Sequence, residues 1–322
     1  MGFYLNVKEM NGGKMNVLIT GGAGFIGSFI VEEVIKQGWN PIIVDNLSTG
    51  NHMYVPQNVP FYNVDICSNS LEQVFREYNP TIVIHQAAQT SVEYSKMNPI
   101  LNNEINVAGT LNILNNCVKY KVTKIIFASS AAVYGETSCL PIEEDSSLCP
   151  KSFYGLSKLN AEQYIRLYHD NFGLSFTILR YGNVYGMRQN PLGEAGVVSI
   201  FFDRILRDSP VTIYGEGCQT RDFIFVKDVA KANIQAISFG HNEIFNISTD
   251  TQVSILHLLN QIQTVLGKEA VVNFKPNRIG DIDKSSLSNK KAKELLKWIP
   301  ESDFMDGITE TMQYYRSLYC KV

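Results

Sequence analysis

Tyr154 and Lys158 stand four residues apart in Tyr154-Gly155-Leu156-Ser157-Lys158, a spacing that puts a phenol and an ammonium on one face of a helix. A cation beside a phenol favours the phenolate, so the pair offers a base near neutral pH. The spacing alone is not distinctive, since Tyr4 and Lys8 share it, as do Tyr120 and Lys124. Tyr154 is set apart by its company. Ser129-Ser130 closes the apolar run Ile125-Ile126-Phe127-Ala128, and Ser130 lies twenty-four residues before Tyr154. A serine hydroxyl at such a strand end can share a substrate oxygen with the phenol. Ser130, Tyr154 and Lys158 together suit removal of a proton from a substrate hydroxyl.

A second constellation lies upstream. Thr20-Gly21-Gly22-Ala23-Gly24-Phe25-Ile26-Gly27 follows the apolar run Asn16-Val17-Leu18-Ile19 and opens an amphipathic stretch that continues through Ile35. Strand, glycine turn and helix in that order make a place where backbone N–H groups meet the pyrophosphate of a dinucleotide. Asp45 closes the next apolar run, Pro41-Ile42-Ile43-Val44, eighteen residues after Gly27. A carboxylate there accepts from both ribose hydroxyls and repels a 2′-phosphate, which favours NAD over NADP.

These groups need a scaffold, and the pattern supplies one. Up to about residue 180, short β-branched runs alternate with helical stretches, the signature of a parallel sheet. Strands are expected at Val17–Thr20, Ile42–Asp45, Phe61–Val64, Thr81–His85, Lys124–Ser129 and Ser175–Arg180, with helices at 25–37, 69–78, 98–120 and 152–171. The reading is an α/β fold: a Rossmann-type doubly wound parallel sheet with a smaller C-terminal α/β substrate-binding lobe. Residues 15–183 form the dinucleotide-binding domain and 184–322 the second lobe, with 227–240 returning to pack on the first. After Asn183 loops such as Pro191-Leu192-Gly193 and Tyr214-Gly215-Glu216-Gly217 break the rhythm. Residues 1–14 read as a flexible N-terminal extension.

Composition narrows the class. The 322 residues are 45% hydrophobic and 18% charged with a net charge of −3, a globular balance with no nucleic-acid footprint. No apolar run has the length of a membrane span. Cys67, Cys117, Cys139, Cys149, Cys218 and Cys320 form no Cys-x-x-Cys and have no histidine at ligand spacing, so reduced thiols, no metal site and a cytoplasmic location are expected.

From about residue 15 to the C-terminus the chain resembles the extended short-chain dehydrogenase/reductases, specifically the UDP-glucose 4-epimerase family of nucleotide-sugar enzymes. The resemblance rests on segments that recur in order. They are the glycine turn, Asp45-Asn46-Leu47-Ser48-Thr49-Gly50, Asp65-Ile66, His85-Gln86-Ala87-Ala88 and Asn106-Val107-Ala108-Gly109-Thr110, then Ser129-Ser130-Ala131-Ala132-Val133-Tyr134-Gly135, the Tyr154/Lys158 pair and Leu179-Arg180-Tyr181-Gly182-Asn183-Val184-Tyr185-Gly186.

The resemblance implies NAD as cofactor, held by Gly21, Gly24, Phe25, Ile26 and Gly27 and by Asp45, Asn46, Ser48, Thr49 and Gly50. Asp65 and Ile66 flank its adenine, and Gln86, Ala87, Ala88, Asn106, Ala128, Tyr154, Lys158 and Tyr181 complete the set. It further implies that Tyr154 takes the sugar 4-hydroxyl proton while the C4 hydride passes to NAD, with Lys158 on the nicotinamide ribose and Ser130 on the 4-oxygen. Arg221 and Arg278 are expected to grip the diphosphate of a UDP-sugar, helped by Asn183, with Asp281 on the nucleotide ribose and Tyr214 beside the uracil. Val197 is expected among the substrate contacts. Ser285 is expected to line the sugar pocket, where a small residue leaves room for a 2-N-acetyl group.

Related dehydratases carry an Asp-Glu pair, and related decarboxylases a Glu, where this chain has Ala131 and Ala132. An alanine cannot protonate a leaving hydroxyl, and the expected activity is therefore UDP-hexose 4-epimerisation. Action on UDP-glucuronate, a nucleotide-sugar reductase and a dinucleotide-sensing regulator stay as alternatives. Apolar residues beyond the needs of one sheet face (Ile105, Leu111, Leu114, Ile165 and Leu167) suggest, with the resemblance, a homodimer through helices 98–120 and 152–171.

Overall fold

The computed structural model describes residues 15–191, 196–277 and 282–319; residues 1–14, Arg278 and Asp281 lie outside them. Seven strands form one sheet in the order β11-β6-β5-β4-β1-β2-β3, every neighbouring pair parallel. They are β1 (Asn16–Thr20), β2 (Asn40–Val44), β3 (Phe61–Tyr62), β4 (Ile82–His85), β5 (Lys124–Ser130), β6 (Ser175–Tyr181) and β11 (Glu243–Ile247). The chain runs outward from β1 in both directions, so the switch point between β1 and β4 opens a crevice at the carboxyl ends of the strands.

Side-chain alternation along the strands feeds two cores. Val17, Ile19, Ile43, Ile126 and Ala128 face one. It is closed by α1 (Phe25–Lys36), α7 (Val197–Leu206), α8 (Val226–Ser238), α9 (Ile255–Leu266) and α10 (Phe304–Tyr319). Leu18, Ile42, Val44, Ile125 and Phe127 face the other, against α2 (Leu71–Tyr78), α5 (Gly109–Lys119) and α6 (Phe153–Phe172). The remaining elements are α3 (Val92–Met97), α4 (Pro99–Asn103), β7 (Asn183–Tyr185), β8 (Val211–Tyr214), β9 (Thr220–Arg221), β10 (Phe223–Phe225), β12 (Val253–Ser254) and β13 (Val272–Lys275).

All six strands expected from the sequence are present, each with one or both ends shifted by one or two residues. The seventh, β11, comes from a stretch that the sequence pattern left in the smaller lobe; its short run Glu-Ile-Phe-Asn-Ile pairs along buried β6. Helix α8 packs against α1. The expected helix 98–120 runs from Pro99 to Lys119, with one irregularity inside it. Asn98 precedes Pro99 and is held out of the helical region, with φ −132° and ψ 59°. A π-helical turn, Glu104–Ala108, then separates α4 from α5.

Two of the apolar residues read as surplus, Leu114 and Ile165, are core residues with no exposed surface, because they face the sheet rather than solvent. Leu167 is exposed, as are Met97, Ile100, Leu101, Phe153, Leu156 and Phe172. These exposed apolar residues belong to α3, α4 and α6.

Candidate active site

The glycine turn is shaped by close approaches of backbone to backbone. Gly21 has φ +70°, and a Cβ there would lie 2.8 Å from the Ala87 nitrogen. A Cβ on Gly27 would lie 2.0 Å from the Gly21 oxygen, so the first turn of α1 can sit on the loop only with glycine at that position. Gly24 is the N-cap and no side chain caps the helix. The N–H groups of Phe25, Ile26 and Gly27 have no intrahelical acceptor and point from the positive end of the helix dipole into the crevice.

Asp45 follows β2 and is nearly buried. Its carboxylate accepts from the Ala23 N–H at 3.0 Å and the Leu47 N–H at 2.8 Å. Burial raises its pKa and these two bonds oppose the rise. A Cβ on Gly50 would lie 2.8 Å from Asp45 Oδ1, so Gly50 lets the Ser48–Gly50 loop fold over the carboxylate. Beside it, Asp65 accepts from the Cys67 N–H at 2.7 Å and the Asn46 amide at 2.8 Å. Burial alone would raise the Asp65 pKa; these donors outweigh it and hold it below the ordinary value. Ile66 is buried and packs on Gly109.

The end of β4 is fixed by a hydrogen-bond chain whose proton positions follow from its partners. Thr110 donates its hydroxyl to the Asn106 carbonyl at 2.7 Å, so it accepts from His85 Nε2–H at 3.0 Å. His85 Nδ1 is then the acceptor for the Thr20 hydroxyl at 2.7 Å, and Thr20 Oγ1 accepts from the Ala87 N–H at 3.3 Å. Burial, with Lys158 nearby, pushes the His85 pKa down to about 3, which keeps the ring neutral as the chain requires. The Asn106 side chain accepts from the Gln89 N–H and donates to the Gln89 carbonyl and to Ser157 Oγ. Its visible work is to tie the β4 loop to α6. The Gln86 amide donates to Tyr181 Oη at 3.0 Å and to Asn233 of α8 at 3.1 Å.

Ser130 ends β5, and its Oγ accepts from the Ala132 N–H at 3.2 Å. A hydroxyl that accepts there keeps its own proton to give to a substrate oxygen. Helix α6 begins with Ser152 as N-cap, bonded to the Gly155 N–H at 3.0 Å. A Cβ on Gly155 would lie 2.5 Å from the Ala132 oxygen, so this glycine brings the first turn of α6, and with it Tyr154, down onto the end of β5. Tyr154 is half-buried. Lys158, one turn on, is buried, donates to the Ala128 carbonyl at 2.8 Å and lies 4.9 Å from the Phe127 ring centre. Burial pulls its pKa down to about 7, against the pull of Glu162.

The sugar-side candidates are spread more widely. Asn183 is exposed at the start of β7, where its N–H bonds the Asp222 carbonyl at 2.7 Å. Arg221 in β9 donates to the carbonyls of Thr220 at 2.8 Å and Ile282 at 2.6 Å, which ties it to the segment following residues 278–281. Tyr214 ends β8 opposite Lys275 of β13, and Val197 begins α7; both are half-buried. Ser285 is buried, two residues before Leu287, which bridges Ile142. A groove of about 580 Å³ between residues 136–140 and 282–284 is lined by Glu136, Thr137, Ser138, Lys151, Asp283 and Lys284.

Asp222 was not foreseen from the sequence. It is buried and accepts from the Thr249 N–H and hydroxyl and from the N–H groups of Asp250 and Leu287. It thereby joins β9, the 249–250 turn and the Ser285 segment. Glu162 was missed too, although it continues the four-residue spacing of Tyr154 and Lys158.

Residues 17–248 match the model of the NAD-dependent epimerase/dehydratase family. A UDP-glucose 4-epimerase of Mycolicibacterium smegmatis is 34% identical over 310 residues, 94% of this chain and 99% of its own. The crystal structure of Thermotoga maritima UDP-glucose 4-epimerase with UDP-glucose aligns with a TM-score of 0.92 at 41% identity, covering 95% of this chain and 100% of that one. The UDP-glucose 4-epimerase of Thermus thermophilus in complex with NAD gives 0.90 at 42% identity over 94% and 99%. This chain belongs to the NAD-dependent epimerase/dehydratase family.

Proposed function

We propose that this protein is an NAD-dependent UDP-hexose 4-epimerase acting through Ser130, Tyr154 and Lys158. One observation carries the reading. The Lys158 ammonium and the Gly155 turn that carries Tyr154 both meet the end of β5 where Ser130 stands, and the neighbouring positions 131 and 132 are alanines in a tight turn. The site holds a base and a hydroxyl donor but no acid there for eliminating water or aiding decarboxylation.

The residues present fit NAD. The uncapped N-terminus of α1 and the space kept by its glycines suit a pyrophosphate, and the buried Asp45 carboxylate suits ribose hydroxyls. NAD, when bound, supplies a hydride acceptor and then donor for sugar C4. Tyr154, as phenolate, takes the proton of the 4-hydroxyl and later returns it. Lys158 supports the phenolate by its charge, and Ser130 donates to O4 and holds it as the carbonyl forms. Arg221, and Arg278 outside the described residues, are assigned to the diphosphate, whose geometry a guanidinium fork matches. Asn183 is assigned to the same group, Asp281 to the nucleotide ribose, Tyr214 to the uracil, and Val197 to the substrate contacts. Ser285 leaves room for an N-acetyl group at C2. The exposed apolar residues of α3, α4 and α6 fit a homodimer that buries them against a second copy.

The test is turnover of UDP-glucose, UDP-galactose and their N-acetyl forms without added NAD. Interconversion at C4 with no accumulating NADH is expected. A protein that holds NAD but interconverts none of the four contradicts the reading.

A further inference from the structure

Behind the catalytic residues lies a buried polar network that the mechanism above leaves unused. Tyr154, Lys158 and Glu162 occupy successive turns of one face of α6. In the sheet, Ser129 and Arg180 are register partners on β5 and β6, and the next pair is Ser130 with Tyr181. Ser129 and Arg180 thus present their side chains to the α6 face together. The Glu162 carboxylate receives both. Ser129 Oγ and Arg180 Nε (3.0 Å) donate to Oε1, and Arg180 Nη2 donates to Oε2 at 2.7 Å.

Arg180 is held from its other side. Its Nη1 donates to Tyr134 Oη at 2.9 Å and to the Glu144 carbonyl at 3.1 Å, and Tyr134 donates its hydroxyl to Asn246 Oδ1 of β11 at 2.7 Å. Ser129, Tyr134, Glu162, Arg180 and Asn246 are all at most 3% exposed. A fork-to-fork guanidinium–carboxylate pair is the most direction-specific of ion pairs. Buried ion pairs contribute little net stability, and replacing both partners by apolar residues is often neutral. The return on this one is therefore sought in geometry.

We propose that Glu162 and Arg180 are positioning residues, whose pair clamps the carboxyl end of β5 to α6 and so sets Ser130 and the Ala128 carbonyl against Tyr154 and Lys158. The inference deepens the epimerase reading and rests on it for its kinetic test. Ser129 is the link that transmits the clamp, since it hydrogen-bonds Glu162 and is covalently joined to Ser130. Releasing it lets the O4-holding hydroxyl drift from the phenol, an error of the size that slows chemistry without weakening binding.

The experiment compares holoprotein forms of the wild type, Ser129→Ala, Glu162→Gln and the double variant Glu162→Leu/Arg180→Met. The double variant removes the pair without leaving one charge buried alone. It is expected to keep the wild-type melting temperature within a few degrees and its KM for UDP-glucose within about threefold, while kcat falls by about tenfold to a hundredfold. The deuterium isotope effect at sugar C4 on kcat is expected to rise, because the chemical step becomes limiting. Glu162→Gln is expected to lose kcat and stability together, and Ser129→Ala to lose kcat by several-fold alone. A double variant with wild-type kcat and isotope effect overturns the proposal. Amide hydrogen exchange separates this failure from failure of the function itself. Loss of protection confined to residues 128–134 and 153–158 is expected in the double variant whether or not the wild type epimerises UDP-hexoses. Unchanged exchange there overturns the clamp.

Discussion

The two sides of the crevice are built differently. On the side we assign to the cofactor, the groups are backbone N–H groups and short side chains. The side chains are fixed by internal partners: Asp45 by Ala23 and Leu47, Asp65 by Cys67 and Asn46, the β4 end by Thr20 and His85. On the side we assign to the UDP-sugar, Tyr214, Arg221 and Ser285 come from short strands and connecting segments, and Arg221 is steadied by two carbonyls. The first side is rigid because the sheet is rigid, so a change there acts on the fold and the cofactor together. The second side can lose a contact and keep its frame.

The largest effect tests the line where the two sides meet. Tyr154→Phe removes the proposed base and leaves the helix intact, since the Tyr154 N–H bond to Ser95 and its carbonyl bond to Ser157 involve the backbone. A loss of about 10²–10⁴-fold in kcat with bound NAD retained is expected from steady-state kinetics and cofactor content. Next comes the rigid side. Gly27→Ala puts a Cβ 2.0 Å from a backbone oxygen and is expected to cost about 1–3 kcal/mol or more of stability, with loss of bound NAD, read by thermal unfolding and released cofactor. The tolerant side should answer differently: Arg221→Met is expected to raise KM for the UDP-sugar by about ten- to a hundredfold. Its kcat and melting temperature should change little. A variant that unfolds instead would erase the distinction between the sides.

The smallest effect lies outside the crevice. Lys124 starts β5, is fully buried and donates to the Phe239 carbonyl at 2.7 Å. Burial lowers its pKa to about 7. Between pH 7 and the ordinary lysine value of 10.5 the folded chain then binds fewer protons than the unfolded one, so this group makes stability rise with pH across that window. Lys124→Met is expected to flatten the rise, measured as melting temperature against pH on the NAD-loaded protein, with kcat unaltered. An unchanged slope would mean that the ammonium is better solvated than its burial indicates.

The contrast between the sides also explains what could be read from the sequence. The glycine turn, Asp45, Ser130 and the Tyr154/Lys158 pair are local patterns, legible because one strand end or one helix turn holds each of them. The unproductive pair Tyr120 and Lys124 shows the limit of spacing. It sits where α5 ends and β5 begins, at the sheet edge opposite the crevice, with Tyr120 bonded to Glu72. The partnership of Ser129, Glu162 and Arg180 depends on the register between β5 and β6, which no window of sequence displays. Asp222 reads as a surface acid until Thr249, Asp250 and Leu287 are folded around it. Leu114 and Ile165 read as surplus because periodicity gives a helix its apolar face but not the element that covers it. Helix α3, which ends where Asn98 precedes Pro99, was not foreseen because six residues are too few to display a helical period.

Epimerisation by this route depends on a hydride that leaves C4 and returns to the same carbon without leaving the site. UDP-glucose carrying deuterium at C4, incubated with the purified holoprotein and no added NAD, tests this directly. Full retention of deuterium at C4 of the UDP-galactose formed, with none in solvent or in free cofactor, is the result predicted. Label appearing in water or in released NADH, or loss of C4 label from the product, would contradict it.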